Sequence, residues 1–275
     1  MRSLLRLPPD DGARDRSIDD PTNSWFVHPL GRLLLVPALR LGLGPNPVSL
    51  AGFALGAGAA AAFFHWPDRT WATLGFVLAV GWLVLDGLDG MIARATGAAS
   101  DFGRMLDGLC DHAVFVLLYV SLAASLGTAG AWLLAVSAGA VHAVQASLFE
   151  GERLRYHRRI QGDGGARGSP SGENLLVRAY EGVSRLPDRW AEPFDRRLRA
   201  AREPAPLAAV YRRRARPPLR VMALLTNNMR ILCLYLACLA GQPRLFWWIE
   251  LVPMTMVAAA GLLWHRRVER ALSSP

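Results

Sequence analysis

Residues 71–126 read WATLGFVLAVGWLVLDGLDGMIARATGAASDFGRMLDGLCDHAVFVLLYVSLAASL. Two apolar runs, each long enough for the roughly 20 residues that cross a bilayer as a helix, meet at an acidic, glycine-rich junction. Asp86 and Asp89 are three apart and share a face of the first helix; Asp107 and Asp111 are four apart and share a face of the second. A short turn around Gly97–Asp101 predicts an antiparallel hairpin that brings all four carboxylates together near one end of a bundle.

Working outward, six stretches qualify as spans: Pro47–His65, Trp71–Ala93, Asp101–Leu126, Gly130–Phe149, Pro218–Leu239 and Leu245–Trp264. Gly52 and Gly56, at small-xxx-small spacing in the first, indicate close helix packing. Ahead of them, Trp25–Leu43 sets Trp25, Phe26, Leu30, Leu33 and Leu39 against Arg32 and Arg40. That pattern suits an amphipathic helix in the membrane interface, or an ordinary surface helix. The expected fold class is an all-α integral membrane protein, six transmembrane helices preceded by an N-terminal interfacial amphipathic helix. The expected organisation is a polar tail over 1–24, the interfacial helix over 25–44, and four spans with the acidic motif over 45–150. An Arg-rich insert over 151–216, two spans over 217–265 and a tail over 266–275 complete it.

Composition agrees: 52% of the 275 residues are hydrophobic and nine are Trp. All 31 basic residues are Arg. The absence of Lys excludes a lysine-bearing phosphate loop and a Schiff-base lysine. Cys110, Cys233 and Cys238 lie in apolar runs and read as small buried residues rather than a disulfide framework. The acidic first twenty residues lack the apolar core of a signal peptide. With the N-terminus inside, only Arg69 and Arg244 fall in outer loops, so the positive-inside rule predicts both termini and the acidic junction on the cytosolic side, in a bacterial inner membrane. The 151–216 insert carries 16 Arg against eight Asp or Glu. It reads as a surface element against anionic headgroups, each Arg contributing about 1 kcal/mol, in preference to a nucleic-acid site. Within it, Gln161–Gly172 is Gly- and Ser-rich, and Leu175–Ala209 suits one or two amphipathic helices.

Four acids in membrane helices need a counter-charge, because an unpaired Asp there costs several kcal/mol. Arg94 and Arg104 cannot neutralise four carboxylates. Oxygen-only ligands suit a hard divalent cation such as Mg²⁺ or Mn²⁺. Gly90 sits mid-helix, where Gly is unfavourable by about 1 kcal/mol relative to Ala. With Gly87, Ala93 and Gly103, it clears space for a bulky ligand or for a neighbouring helix.

The pattern D-x-x-D-G-x-x-A-R-x8-G-x3-D-x3-D over Asp86–Asp111 resembles the signature of the CDP-alcohol phosphotransferase family, with every fixed position matched. The insert is longer than the family leads one to expect. The resemblance implies that Asp86, Asp89, Asp107 and Asp111 ligate Mg²⁺ or Mn²⁺, Asp111 serving as ligand or as base. It implies that Gly90, Ala93, Arg94 and Gly103 line the nucleotide pocket, and that the protein is a homodimer. The reaction it implies takes a CDP-linked donor, CDP-diacylglycerol first among them, and an alcohol acceptor, and releases CMP. Transfer of a CDP-linked head group to a lipid alcohol or an inositol phosphate is the enzymatic alternative. A divalent-cation transporter is the alternative of another class. Arg153, Arg155 and Arg158, beyond the fourth span, are candidates for an acceptor phosphate or for positive-inside anchoring. Arg230, inside the fifth, is a further acceptor candidate or a structural partner, for example of Glu250. Asn46, between Pro45 and Pro47, is a minor candidate for touching the nucleotide.

Overall fold

The computed structural model describes residues 17–164 and 188–273, and every element among them is helical. The expected Gly- and Ser-rich stretch and the first part of the amphipathic helix after Leu175 fall largely outside those residues. The chain divides into two compact units, 1–139 with 227–249 and 140–226 with 250–275.

The first unit begins with a π-helical turn, Asn23–Val27, that runs into α1 (His28–Arg40). Helices α2 (Pro45–Phe64), α3 (Arg69–Thr96) and α4 (Asp101–Leu126) follow, with the start of α5 (Ala129–Ile160). The caps explain the hairpin. Asp68 precedes α3 and accepts the Thr70 amide at 2.8 Å. Gly97 ends α3 in the left-handed conformation (φ 67°), and the Ala98 amide returns to the Ala93 carbonyl at 3.0 Å. Ser100 then caps α4 by accepting the Gly103 amide at 3.0 Å. The turn predicted at Gly97–Asp101 is therefore present, stopped and restarted by its own residues.

Helix α2 packs against both α3 and α4, and α1 against α3. Leu35, Ala38 and Val48 bury against Leu88, Met91 and Ile92. Ser121 and Ser125 of α4 donate to the Ala60 and Phe64 carbonyls of α2 at 2.5 and 2.6 Å. The small residues of α2 permit this approach: a Cβ on Gly56 would lie 2.4 Å from a Val114 methyl, a contact only glycine allows. Gly56→Ala should lower stability by about 1–3 kcal/mol, and Val114→Ala should recover part of it. Thermal unfolding of the single and double variants in detergent reads both effects.

The first unit also holds α8 (Asn227–Leu239) and α9 (Arg244–Ile249). Helix α8 packs on α3, where Tyr235 stacks on Phe76 with ring centroids 4.4 Å apart.

The second unit contains the remainder of α5, α6 (Asp188–Ala200), α7 (Pro204–Met222) and α10 (Thr255–Ser273). Helix α10 packs against α6 and α7, and a π-helical turn, Glu250–Met254, containing Pro253, leads into it.

Among the described residues, five helices are long and apolar enough to cross a membrane: Pro45–Phe64, Arg69–Thr96, Met105–Leu126, Ala129–Ile160 and Arg244–Ser273. Pro204–Leu225 and Asn227–Leu239, bent by 44° at their junction, add a sixth when counted as one broken span. Large apolar side chains such as Val77, Val116, Leu133, Val136, Met256 and Leu263 stand exposed on these helices, as lipid-facing residues do.

Two predicted spans need correction. The fifth is not one helix over Pro218–Leu239. Pro217 and Pro218 lie inside α7, whose buried Ala208, Tyr211, Ala215, Leu219 and Met222 keep a helical period through them. The real break is at Ala223–Thr226, where Thr226 turns extended (ψ 157°) before α8. Thr and Asn side chains at 226–228 compete with the backbone for hydrogen bonds and favour a helix start. The sixth runs on past Trp264 to Ser273, because Arg266 and Glu269 are buried rather than solvated.

Candidate active site

Residues of three helices line one pocket: Ser49 and Gly52 of α2, Trp82, Asp86 and Asp89 of α3, and Asp107, Cys110 and Asp111 of α4. All four predicted acids are thus brought together. The carboxyls of Asp86 and Asp111 hydrogen bond across the hairpin, and Asp86 feels the charges of Asp89, Asp107 and Asp111. Asp89 is almost fully buried and accepts a hydrogen bond from Ser49. Asn227, at the start of α8, donates its Nδ2 to Asp111 Oδ2 at 3.4 Å.

Four carboxylates this close form an oxygen-rich cage that suits a hard divalent cation. Two of the acids lie one turn apart on α3 and two on α4, so the hairpin turn sets the separation of the pairs.

The glycines shape the same region. A Cβ on Gly90 would stand 3.2 Å from the Arg94 guanidinium, so glycine lets that side chain fold back along α3. A Cβ on Gly103 would stand 3.1 Å from Ser100 Oγ and 3.4 Å from Asn46 Oδ1. Asn46 therefore reaches the first turn of α4, beside one of the predicted nucleotide-pocket positions. Ala93 is half-buried and Arg94 exposed one turn beyond Asp89 and Gly90.

The predicted acceptor arginines fall in both units. Arg230 is fully buried in the first unit. Arg153, Arg155 and Arg158 lie on the end of α5 in the second. Arg153 pairs with Glu150 at 2.9 Å in a half-exposed position. Arg155 is buried against Glu152 at 2.5 Å.

Glu152 belongs to a buried cluster that the sequence reading did not anticipate. It meets Arg155, Arg266 and His265 Nδ1, the last at 2.5 Å. Glu269 meets Arg159 and Arg266. Arg159 also donates to Asp195 at 2.7 Å and lies over the rings of Phe194 and Tyr211. His265 Nε2 lies 2.9 Å from Tyr211 Oη, so the imidazole bridges Glu152 and Tyr211. By distance alone Glu152, His265 and Glu269 could hold a metal ion. Their carboxylates already face three guanidiniums, so the cluster is an ion-pair lock joining α5, α6, α7 and α10.

The profile of the CDP-alcohol phosphatidyltransferase family matches residues 43–160, which contain α2, α3, α4 and α5 with all four acids. Two curated relatives extend the comparison. A phosphatidylinositol phosphate synthase of Mycolicibacterium smegmatis is 37% identical over 83 residues, 30% of this chain and 36% of that protein. An archaetidylinositol phosphate synthase of Pyrococcus horikoshii is 41% identical over 72 residues, 26% of this chain and 36% of that protein. The chain therefore spans about a third of the length of the relatives it matches. Within the matched region, Ser49 and Trp82 are pocket residues that sequence reading passed over. For Ser49 the available signal was a polar side chain one turn into α2, followed by an unbroken apolar run.

Proposed function

We propose that this chain transfers a phosphatidyl-type group from a CDP-linked lipid, CDP-diacylglycerol or a close analogue, to the hydroxyl of an alcohol, with release of CMP. The observation that carries this reading is the convergence of Asp86, Asp89, Asp107 and Asp111 in one pocket of a region that matches the CDP-alcohol phosphatidyltransferase profile. The names of both relatives favour inositol phosphate as the alcohol. Arg153, Arg158 and Arg230 are candidates for its phosphate, by bidentate hydrogen bonding; Arg155 is a weaker one, being engaged with Glu152. The reading includes a homodimer in a bacterial inner membrane with the site on the cytosolic side.

In the reaction, the acceptor oxygen forms a bond to the lipid-side phosphorus of the pyrophosphate, and the bond from that phosphorus to the bridging oxygen breaks. CMP leaves with the bridging oxygen and its electron pair. Asp86, Asp89, Asp107 and Asp111 would hold Mg²⁺ or Mn²⁺, which when bound neutralises charge developing on the leaving phosphate. Asp111 takes the proton of the attacking hydroxyl. Gly90, Ala93 and Gly103 leave room for the nucleotide along the helix backbones, and Arg94 offers it a cation at the exposed end of α3. A cation-transport reading gains less support, because the four acids sit in one hairpin pocket instead of marking a path through several helices.

The test is CMP release by the purified chain in lipid vesicles, with CDP-diacylglycerol against inositol phosphate and a panel of other alcohols, and with CDP-alcohols against diacylglycerol. CMP should appear with the first pair, stop on chelation with EDTA, and return on adding Mg²⁺ or Mn²⁺. Folded protein that releases no CMP from any pair would sink the proposal.

A further inference from the structure

The break at Thr226 places two asparagines at the start of α8, and each reaches a different aspartate. Asn227 Nδ2 lies 3.4 Å from Asp111 Oδ2, and Asn228 Nδ2 lies 3.3 Å from Asp20 Oδ2. Successive side chains at a helix start diverge by about 100°, so neighbouring residues can serve carboxylates on two sides. Only the amide nitrogen can face a carboxylate oxygen, so both asparagines act as donors.

Asp20 is a fixed anchor. It is almost fully buried, its Oδ1 accepts the Asn23 amide at 3.0 Å and the Thr22 hydroxyl, and its Oδ2 is left to receive Asn228. Asp19 holds the same turn by accepting Asn23 Nδ2 at 2.7 Å. The π-helical turn at Asn23–Val27 is thus tied to the start of α8, and the start of α8 to Asp111. Asp20, Asn227 and Asn228 all fall outside residues 43–160.

A carboxylate rotates easily about its last torsion, which is broad and two-fold. A donor placed on one oxygen selects one orientation and turns the other oxygen to a fixed direction. We infer that Asn227 is a positioning residue that orients the Asp111 carboxylate, and that the Asn228–Asp20 contact holds Asn227 in place. This rests on the reading of Asp111 as base and metal ligand proposed above.

Two arms test it. In CMP release, Asn227→Ala should lower kcat on the order of tenfold, as expected when a reacting group loses its alignment. KM for the CDP-linked donor and the unfolding temperature should stay close to wild type. Asn227→Asp keeps the shape but sets a carboxylate against Asp111, so it should be worse than Asn227→Ala. A packing role predicts the reverse order. In the second arm, Mn²⁺ affinity is read by electron paramagnetic resonance. Asn227→Ala should weaken it severalfold in the natural background and leave it unchanged in the Asp111→Asn background. A wild-type chain that releases no CMP faults the function reading, and the Mn²⁺ arm then decides the role of Asn227 alone. Unaltered Mn²⁺ affinity in Asn227→Ala overturns the inference, as does Asn227→Asp matching wild type in kcat.

Discussion

Asp111→Asn should lower kcat for CMP release on the order of 10³-fold, the range lost with a positioned acid or base. The substitution keeps the volume of the side chain and removes both its charge and its ability to take a proton. Asp111 shares a hydrogen bond with Asp86 and faces the Asn227 amide, so an amide at 111 can still satisfy part of that surrounding. The fold should therefore persist, and the unfolding temperature should move little. A Mg²⁺ titration separates the two roles assigned to this residue. If Asp111 only held metal, saturating Mg²⁺ would restore much of the rate; if it takes the proton, the deficit should survive saturation. We expect the deficit to survive.

Glu152→Ala should destabilise the second unit by about 3–5 kcal/mol, the range for removing one partner of a buried ion pair. Arg155 and Arg266 are 1% and 2% exposed, and both would lose their common carboxylate. Guanidinium cannot shed its charge in a protein, so these two cannot adapt by becoming neutral. His265 Nδ1 would lose its acceptor as well. The control is Arg153→Ala, which breaks a half-exposed pair with Glu150 one turn away and should cost at most about 1 kcal/mol. Thermal unfolding in detergent, followed by circular dichroism, distinguishes the two. A Glu152→Ala protein as stable as Arg153→Ala would show that the buried cluster contributes little.

The hairpin was legible because every device that builds it is local. The spacing of Asp86 and Asp89, the stop at Gly97 and the cap at Ser100 each act within one or two turns of the chain. The pocket's acids follow from that geometry alone. What sequence reading missed depends on contacts between distant residues. Arg159 and Arg266 are not recognisable in the sequence as buried, because a run of arginines states its charge and not its partners. Their carboxylates lie on other helices, Glu269 being 110 residues from Arg159 and Glu152 being 114 from Arg266. Pro217-Pro218 misled for a related reason. The apolar period that continues through the prolines is read against α10, which is not adjacent in sequence. Asn227 is a polar residue in an apolar run, yet its aim at Asp111, 116 residues away, needs the folded chain.

The buried cluster also sets a timetable for biosynthesis. His265 and Arg266 are separated from Glu152 by 113 and 114 residues. At a translation rate of about 5–20 residues per second, the glutamate waits for several seconds or longer before its partners exist. During that interval Glu152 has Arg155 beside it but not Arg266, and Arg159 lacks Asp195 and Glu269, so this end of α5 must stay hydrated. The lining of the acidic pocket, by contrast, comes from α2, α3 and α4, all made before Glu152. Each newly made chain would thus hold an assembled acidic pocket before its second unit can close.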